Sequence, residues 1–431
     1  MKKQPKILVL TTTFPRWRGD TDPPFVFELC RRLAKDFNII VLAPHFPGSP
    51  SEENMDGMRV VRFRYFFEPW EKLAYGSGGG ILARIRINPL WGLMVPFLVA
   101  GQVLATLRLL RRKRFDLVHA HWLVPQALTA VIARALSGRR IQLLATAHGS
   151  DLYALRGRLM DGVRRFVFNR SAAVTVVSRA MAEDLVRAGA PREKVRVIPM
   201  GTDLTDLFCP GPDSRNPKQV LFVGRLVEIK GCRYLIEAWP KVMATEAEAR
   251  LLIVGDGPER GRLERRVVEL KTGDSVRFLG ALPQASLPDL YRSSAVVVFP
   301  SIVGRGGDRE GFGLVPVEAL GCECAVVVSD LPAMRDIVQD GETGLVVRRG
   351  SSEEIAGAIL RLLNNPELAT QFGRNGRRHV VRRFEWRWIA AVYLALIQSL
   401  CLGDAPGRCA QSSSNSLSTC AAASDQVGAV P

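Results

Sequence analysis

Val220-Leu221-Phe222-Val223-Gly224-Arg225 is an apolar run that stops at a glycine, and Lys230-Gly231 follows five residues after Arg225, before apolar positions recur at Leu235, Ile236 and Trp239. The run reads as a buried strand and the later spacing as a helix. A strand, a short turn and a helix form the repeating unit of an open α/β sheet, which binds ligands beyond the carboxyl ends of its strands. Arg225 and Lys230 therefore stand as two cations at a ligand-binding edge, although the same two residues also suit a solvated turn.

The alternation runs through the whole chain. Short apolar runs at 6–10, 38–43, 59–63, 116–119, 141–146, 173–177 and 195–198, then at 219–223, 250–254, 275–278, 295–299, 324–328 and 344–347, are separated by helix-like segments. That is the pattern of parallel sheets with helices on both faces. The runs fall into two groups. Between them, Pro199-Met200-Gly201-Thr202-Asp203 through Pro210-Gly211-Pro212-Asp213-Ser214 holds more proline and glycine than an element interior tolerates, so a hinge is expected at 200–214. A chain of 431 residues exceeds one ordinary core, and its 47% hydrophobic composition excludes global disorder. Two doubly wound α/β domains, 1–199 and 215–385, are expected.

The formal net charge of +17 favours an acidic partner without choosing among nucleic acid, anionic lipid and phosphorylated small molecules. No helix-turn-helix, zinc-finger or aromatic-platform signature is present, so no specific nucleic acid is expected as a partner. The basic residues gather in the first half, at Arg84 and Arg86, Arg111-Arg112-Lys113-Arg114, and Arg156 through Arg165. Eight cysteines (Cys30, Cys209, Cys232, Cys322, Cys324, Cys401, Cys409 and Cys420) show no C-x-x-C pair, and Cys322-Glu323-Cys324 has no second pair or histidine nearby to complete a zinc site. Reduced, mostly buried thiols of a cytosolic protein are expected. The apolar block Ile7-Leu8-Val9-Leu10 is too short for a signal peptide.

Pro89 to Leu110 is the one candidate for a membrane span, with only Gln102 and Thr106 as polar side chains and Arg111-Arg112-Lys113-Arg114 following. Gly92, Pro96, Gly101 and the strand-like Asp116-Leu117-Val118-His119 argue against a span. They favour a buried helix of a soluble repeat or, next, an interfacial helix beside a basic rim. The stretch from Phe63 through Phe66, Phe67, Trp70 and Tyr75 to Gly76-Ser77-Gly78-Gly79-Gly80 reads as a long aromatic, glycine-rich loop. The tail 403–431, rich in alanine, serine and glycine, is expected to be disordered.

In the second half, Arg309-Glu310-Gly311-Phe312-Gly313-Leu314-Val315-Pro316-Val317-Glu318-Ala319-Leu320-Gly321 sets two carboxylates eight residues apart around a glycine turn that enters a helix. Gly311 and Gly313 let backbone amides approach a diphosphate, Pro316 is tolerated in a first helical turn, and a helix start favours anions. Glu318 then suits the hydroxyls of a ribose and Glu310 those of a sugar. Val254-Gly255-Asp256-Gly257-Pro258-Glu259-Arg260-Gly261 is spaced G-x-G-x-x-x-G, which disfavours a nicotinamide cofactor and reads as a tight turn. In the first half, His148 in Ala147-His148-Gly149-Ser150-Asp151 ends a strand and suits either a structural histidine or one facing the expected cleft, the latter favoured by the glycine and small polar residues that follow it. His119 and His121 end another, and are read as pointing to opposite sides, which argues against a shared metal site. Asp20-Thr21-Asp22 matches a metal-binding Asp-x-Asp, but lies among Pro15, Gly19, Pro23 and Pro24 in a turn-rich loop, so no metal is expected there.

Together these residues resemble glycosyltransferase family four, the retaining nucleotide-sugar transferases of the GT-B fold, from Ile7 to about Trp388. Carrying the resemblance are Val223-Gly224-Arg225 with Lys230-Gly231, Val254-Gly255-Asp256-Gly257-Pro258, Phe299-Pro300-Ser301, and Glu310-Gly311-Phe312-Gly313 with Glu318-Ala319. It implies two Rossmann-like domains facing each other across a cleft, a UDP- or GDP-sugar donor held by the second domain, and an acceptor held by the first. Transfer would proceed with retention and without a metal or other cofactor. By motif match, Arg225 and Lys230 fall on diphosphate-binding positions, Glu318 on the ribose contact and Glu310 on the donor-sugar contact. Gly311, Phe312, Gly313 and Leu314 fall on the donor loop, and His148 beside the reacting centre. A Gly-Gly pair of many relatives is reduced here to Gly19, which puts that donor contact in doubt. The helix 386–402 would cross back onto the first domain.

The expected function is sugar transfer to an acceptor hydroxyl in polysaccharide or glycolipid biosynthesis, in the cytoplasm. The basic first half and aromatic loop suit a carbohydrate or lipid-linked acceptor and an anionic membrane surface. A glycosidase would have no use for Arg225 and Lys230 as diphosphate partners. The alternatives are a nucleotide-sugar epimerase with the same architecture, or a catalytically silent membrane-surface or nucleic-acid-binding scaffold.

Overall fold

The computed structural model describes residues 4–20, 25–75, 81–211 and 215–402. Thr21-Asp22, the stretch Gly76-Ser77-Gly78-Gly79-Gly80, residues 212–214 of the expected hinge and the tail 403–431 lie outside them. Fourteen strands are described: β1 (Lys6–Leu10), β2 (Asn38–Pro44), β3 (Glu52–Met55), β4 (Met58–Phe63), β5 (Leu117–His121), β6 (Gln142–Ala147), β7 (Ala173–Val176), β8 (Val195–Val197), β9 (Asn216–Val223), β10 (Arg250–Val254), β11 (Val276–Gly280), β12 (Ser294–Phe299), β13 (Ala325–Ser329) and β14 (Leu345–Val347). Each apolar run named above lies on one of them. β3, Glu-Glu-Asn-Met, was not expected because it has no apolar run. It is an antiparallel edge strand paired to β4 through the two-residue turn Asp56-Gly57, both at positive φ, a favoured hairpin connection.

The strands form two sheets, ordered β3-β4-β2-β1-β5-β6-β7-β8 and β11-β10-β9-β12-β13-β14. Apart from β3 with β4, all described pairs are parallel. Every residue of β12 and β13 is buried, as helices on both faces require. In each sheet the order reverses beside its first strand, between β1 and β5 and between β9 and β12. Open α/β sheets bind ligands at such reversals, beyond the carboxyl ends of the strands.

The chain passes between the sheets twice, near 200–211 and near 384–386, and the two passages are joined. Thr202 N donates to Phe384 O at 2.8 Å, and the buried Glu385 accepts from Leu204 N at 2.8 Å and Thr205 Oγ1 at 3.2 Å. A side chain at Gly201 would meet the Trp386 ring at 2.2 Å, so glycine is required there. The terminal helix Trp386–Leu402 packs Trp386, Ile389, Tyr393, Ile397 and Leu400, spaced by three and four, against Ile7, Val9 and Val41 of the first sheet.

Between β4 and β5, a 3-10 segment Pro89–Met94 leads into the helix Val95–Arg112. By length and composition this stretch is long and apolar enough to cross a membrane. Instead it belongs to the first domain. Leu98 and Leu110 join its core, and a Cβ at Gly101 would stand 3.0 Å from Arg64 O, so the helix backbone lies against the chain after β4. The expectation of a buried helix is corrected too, because its outward face, with Leu93, Phe97 and Leu104, is exposed and apolar. The segment 63–75 is likewise no plain loop, since Glu68–Trp70 forms a 3-10 turn and Ile81–Ile87 a helix beyond it.

Candidate functional site

Gly224-Arg225 leaves β9 and Pro300-Ser301 leaves β12, so both flank the crevice of the second sheet. Gly231, at φ +66°, is pressed so closely on the Pro300 carbonyl that a Cβ would stand 1.9 Å from its oxygen. This contact brings the turn carrying Lys230 against the end of β12. Lys230 Nζ lies 4.9 Å from the centroid of the Phe299 ring and forms an ion pair with Glu310 Oε2 at 2.5 Å. Arg225 is exposed in the same turn.

Gly311, Phe312 and Gly313 follow Glu310, and Gly313, at φ +111°, caps the helix Leu314–Gly321 with no side chain over its first amides. Left-handed backbone at that position favours glycine. Glu318 lies inside this helix and is only 4% exposed. Its Oε2 accepts from the buried Tyr291 hydroxyl at 2.8 Å and its Oε1 from Gln284 Nε2 at 3.3 Å. Burial raises its carboxyl above the usual carboxylate range, opposed by these two hydrogen bonds and by the charge of Lys230. The structure thus brings Lys230, Glu310, Glu318 and the glycine-opened helix start to one crevice.

His148 follows β6 and is only partly accessible, between the Phe25 and Trp122 rings, with centroids 4.9 and 4.8 Å away. The buried Asp151 holds the turn: Oδ1 accepts from His148 N and Gly149 N at 3.2 and 3.1 Å, and Oδ2 from Leu123 N at 2.7 Å. His121 Nδ1 and His148 Nε2 share a hydrogen bond of 3.0 Å. The expectation that His119 and His121 diverge is corrected, since residues two apart on a strand share a face, and these rings lie 4.2 Å apart between centroids. His119 Nε2 continues the chain of contacts to Thr146, which meets Thr175, which meets the Tyr393 hydroxyl of the terminal helix, at 2.8, 2.6 and 3.3 Å. Burial holds His119 and His148 down to about 3 and His121 well below its ordinary value, so all three imidazoles are neutral near pH 7. Among the described residues no cluster of three or more metal-ligating side chains occurs.

The two domains touch at this point. A Cβ on Gly149 would stand 3.3 Å from Gly311 Cα, and one on Gly311 would stand 3.1 Å from the His148 carbonyl oxygen. Arg309 forms an ion pair with Asp184 and stacks on Tyr153, 4.4 Å from its centroid, while the Tyr153 hydroxyl donates to Asp184 at 2.8 Å. Arg156 donates to Gly307 O at 2.9 Å and Arg179 N to Asp336 at 2.8 Å. Gly19 stands apart, in an exposed turn at φ +79° with open space where a side chain would begin. Asp20 is paired with Arg16 through both oxygens, at 2.8 and 2.6 Å, and the rest of the Asp-x-Asp lies outside the described residues.

Residues 24–206 match the family model for Glycosyltransferase Family 4, and 211–379 that for Glycosyl transferases group 1. The chain is 31% identical over 293 residues, spanning 66% of itself and 74% of the relative, to the phosphatidyl-myo-inositol mannosyltransferase of Mycobacterium leprae. It is a family four glycosyltransferase. This glycosyltransferase is also 28% identical over 393 residues, 88% of its length and 95% of the relative's, to a GDP-mannose-dependent alpha-(1-6)-phosphatidylinositol monomannoside mannosyltransferase of Mycolicibacterium smegmatis. The solved sucrose-phosphate synthase of Thermosynechococcus elongatus is 25% identical to it with a TM-score of 0.74, covering 93% of this chain and 100% of that one. The solved Anabaena HepE, in complex with UDP, is 20% identical with a TM-score of 0.69, covers 91% and 100%, and shares the GT-B fold.

Several residues around the crevice of the glycosyltransferase escaped sequence reasoning. Tyr291, Asp151 and the Asp184–Arg309 pair act across separations of 27, 28 and 125 residues. No local spacing marks them; only the strand assignments bring them within reach.

Proposed function

We propose that this glycosyltransferase moves a sugar from a UDP- or GDP-sugar to a hydroxyl of a carbohydrate or lipid-linked acceptor, with retention at the anomeric carbon and without a metal. The observation that carries the reading is the crevice beside β9 and β12. There Lys230 is paired with Glu310, Arg225 shares its turn, and the glycine-capped helix start at Leu314 lies about one helical turn before Glu318. A diphosphate leaving group gains negative charge as its bond to the sugar breaks, so fixed cations and helix-start amides stabilise the transition state more than the ground state. Glu318, held by Tyr291, suits ribose hydroxyls, and Glu310, once the diphosphate takes Lys230, suits hydroxyls of the donor sugar. His148 is neutral, so it offers an imidazole N–H to a sugar hydroxyl rather than a second charge. Domain contacts around it exclude water from the reacting atoms, which limits hydrolysis of the donor. The Mycolicibacterium smegmatis and Mycobacterium leprae relatives are named for phosphatidylinositol acceptors, which supports a lipid-linked acceptor.

The test is a thermal-shift screen of UDP, GDP and their sugars, since a ligand that binds only the native state raises its midpoint. A shift with one nucleotide family is expected, lost in Lys230→Ala and Glu318→Ala. Unaltered binding in both variants would overturn the donor site, and product formed from the donor with no acceptor present would favour an epimerase.

A further inference from the structure

The helix Val95–Arg112 is built inside out. Its inward positions Leu98, Gln102, Thr106 and Leu110, four apart, are all fully buried. Two of them are polar, and among the described residues both amide atoms of Gln102 and the Thr106 hydroxyl lack a hydrogen-bond partner. Outward stand Phe97 and Leu104, 50% and 60% exposed, continuing Leu93 at 69%. A helix facing water carries the reverse arrangement. Unpartnered polar atoms inside and apolar side chains outside both cost free energy in water, and an apolar environment over the outer face removes the second cost.

The face extends beyond the helix and is rigid. The Phe66 ring lies 5.1 Å from those of both Phe97 and the exposed Phe67, and that of the exposed Trp70 lies 6.3 Å from Trp91. The fully buried Glu71 fixes this aromatic segment: it accepts from Tyr65 N at 2.7 Å and Phe66 N at 3.2 Å, and pairs with His45 at 2.7 Å and Arg64 at 2.8 Å. Charge borders it. The outward stripe of the helix continues, at helical spacing, into the exposed Arg108 and Arg111, with Arg112 beside them and the exposed Lys72 two residues after Trp70.

We propose that this face of the first domain seats in the headgroup region of an anionic lipid bilayer, with Phe67, Trp70, Leu93, Phe97 and Leu104 at the acyl boundary and the arginines on lipid phosphates. A second copy of the chain suits it poorly, because two arginine-bordered faces on molecules of net charge +17 repel each other, whereas an anionic surface attracts them. The helix lies on the bilayer and does not cross it, since its inward side belongs to the domain core. For its purpose the inference rests on the lipid-linked acceptor reading: docking by the acceptor domain brings the cleft to a carrier held in the bilayer.

The experiment is co-sedimentation of the full chain with vesicles of phosphatidylcholine alone and of phosphatidylcholine mixed with phosphatidylglycerol, at low and high salt. Binding to the mixed vesicles is expected, weakened by salt. Loss of one apolar anchor reduces it roughly tenfold and loss of one arginine about fivefold. The double variant Phe97→Glu with Leu104→Glu should therefore stay in the supernatant while keeping its nucleotide-induced melting shift. Quenching of tryptophan emission by bromine-labelled lipid, strong in the wild type and reduced in Trp70→Ala, gives a second reading should that variant misfold. Wild type that ignores anionic vesicles, or a folded double variant that binds them as well as wild type, overturns the proposal. A wild-type dimer in sedimentation velocity that dissociates in the double variant, without vesicle binding, also overturns it and assigns the face to self-association. Vesicle binding combined with transfer only to water-soluble acceptors would sink the acceptor reading and leave the surface standing.

Discussion

Tyr291→Phe removes one oxygen atom and tests the donor site from behind. The Tyr291 hydroxyl donates to Glu318 Oε2 at 2.8 Å with both groups buried, and the other carboxylate contact, from Gln284, is longer at 3.3 Å. Loss of a hydrogen bond to a buried charge costs about 2 kcal/mol, or roughly 4–8 °C in melting temperature for a unit of this size. The cost depends on pH in a defined direction. Burial raises the Glu318 carboxyl in the folded state, so its contribution is most favourable below its unfolded value and is lost as pH rises through the folded one. Removing a donor that lowers this value moves it further up. The melting difference between Tyr291→Phe and wild type should accordingly be smallest below the unfolded carboxyl value near 4.3 and grow as pH rises. UDP or GDP binding, measured by calorimetry at pH 8, should weaken about tenfold, because the carboxylate proposed to meet the ribose is no longer oriented. Glu318→Gln provides the contrast: it relieves the buried charge, keeps an acceptor for Tyr291, and should melt no lower than wild type at pH 8 while still losing nucleotide affinity. A pH-independent melting difference together with wild-type nucleotide affinity in both variants would refute the assignment of Glu318 to the ribose and of Tyr291 as the group that orients it.

The three neutral imidazoles His119, His121 and His148 are depressed in the folded state. Their stabilisation is complete above the unfolded value near 6.5 and is lost as pH falls, at up to about 1.4 kcal/mol per unit for each group. Calorimetry should show a melting temperature that is level above pH 7 and falls steeply below 6; a level curve down to pH 5 would contradict their burial as neutral groups. His121→Phe keeps a ring in the stack but loses the hydrogen bond to His148, so kcat should fall about tenfold with donor affinity unchanged. Equal losses in both would make His121 merely structural. Arg309→Ala removes the ion pair with Asp184 that joins the domains. Small-angle scattering should report a larger radius of gyration without ligand, and the donor kcat/KM should drop; an unchanged radius would show that other contacts hold the cleft.

Most of the fold was legible because its central strands, such as β12 and β13, are buried on both faces and therefore appear as unbroken apolar runs, several of them ended by glycine or proline. β3 was not, since Glu52-Glu53-Asn54-Met55 pairs on one edge only and carries no such run. Its one sequence signal is Asp56-Gly57, a favoured hairpin turn. The crevice residues were legible where chemistry is local, as around Gly311 and Gly313. Glu71 was illegible: a glutamate in an aromatic segment gives no hint that it binds two backbone amides and a histidine 26 residues away. The inside-out helix was misjudged for a related reason. Composition records that Gln102 and Thr106 are present, but only packing shows that they face inward.

The segment 304–313 connects these elements into one device. Glu310 reaches Lys230 within its own domain, whereas Arg309 on its other side reaches Asp184 and Tyr153 of the first domain, and Gly311 lies against Gly149 and the His148 carbonyl. Separation of the domains would break the last two sets of contacts together and leave the first intact. Under the proposed function Lys230, Glu310 and Glu318 would receive a donor with the cleft open, because their mutual contacts lie within the second domain. His148 approaches only when the glycines meet. Two facing residues without side chains are what allow that approach, since a methyl group on either would stand within about 3.3 Å of the opposite backbone. On the proposed reading, catalytic geometry and water exclusion would depend on the same contact, and a donor loaded without closure would stay away from His148.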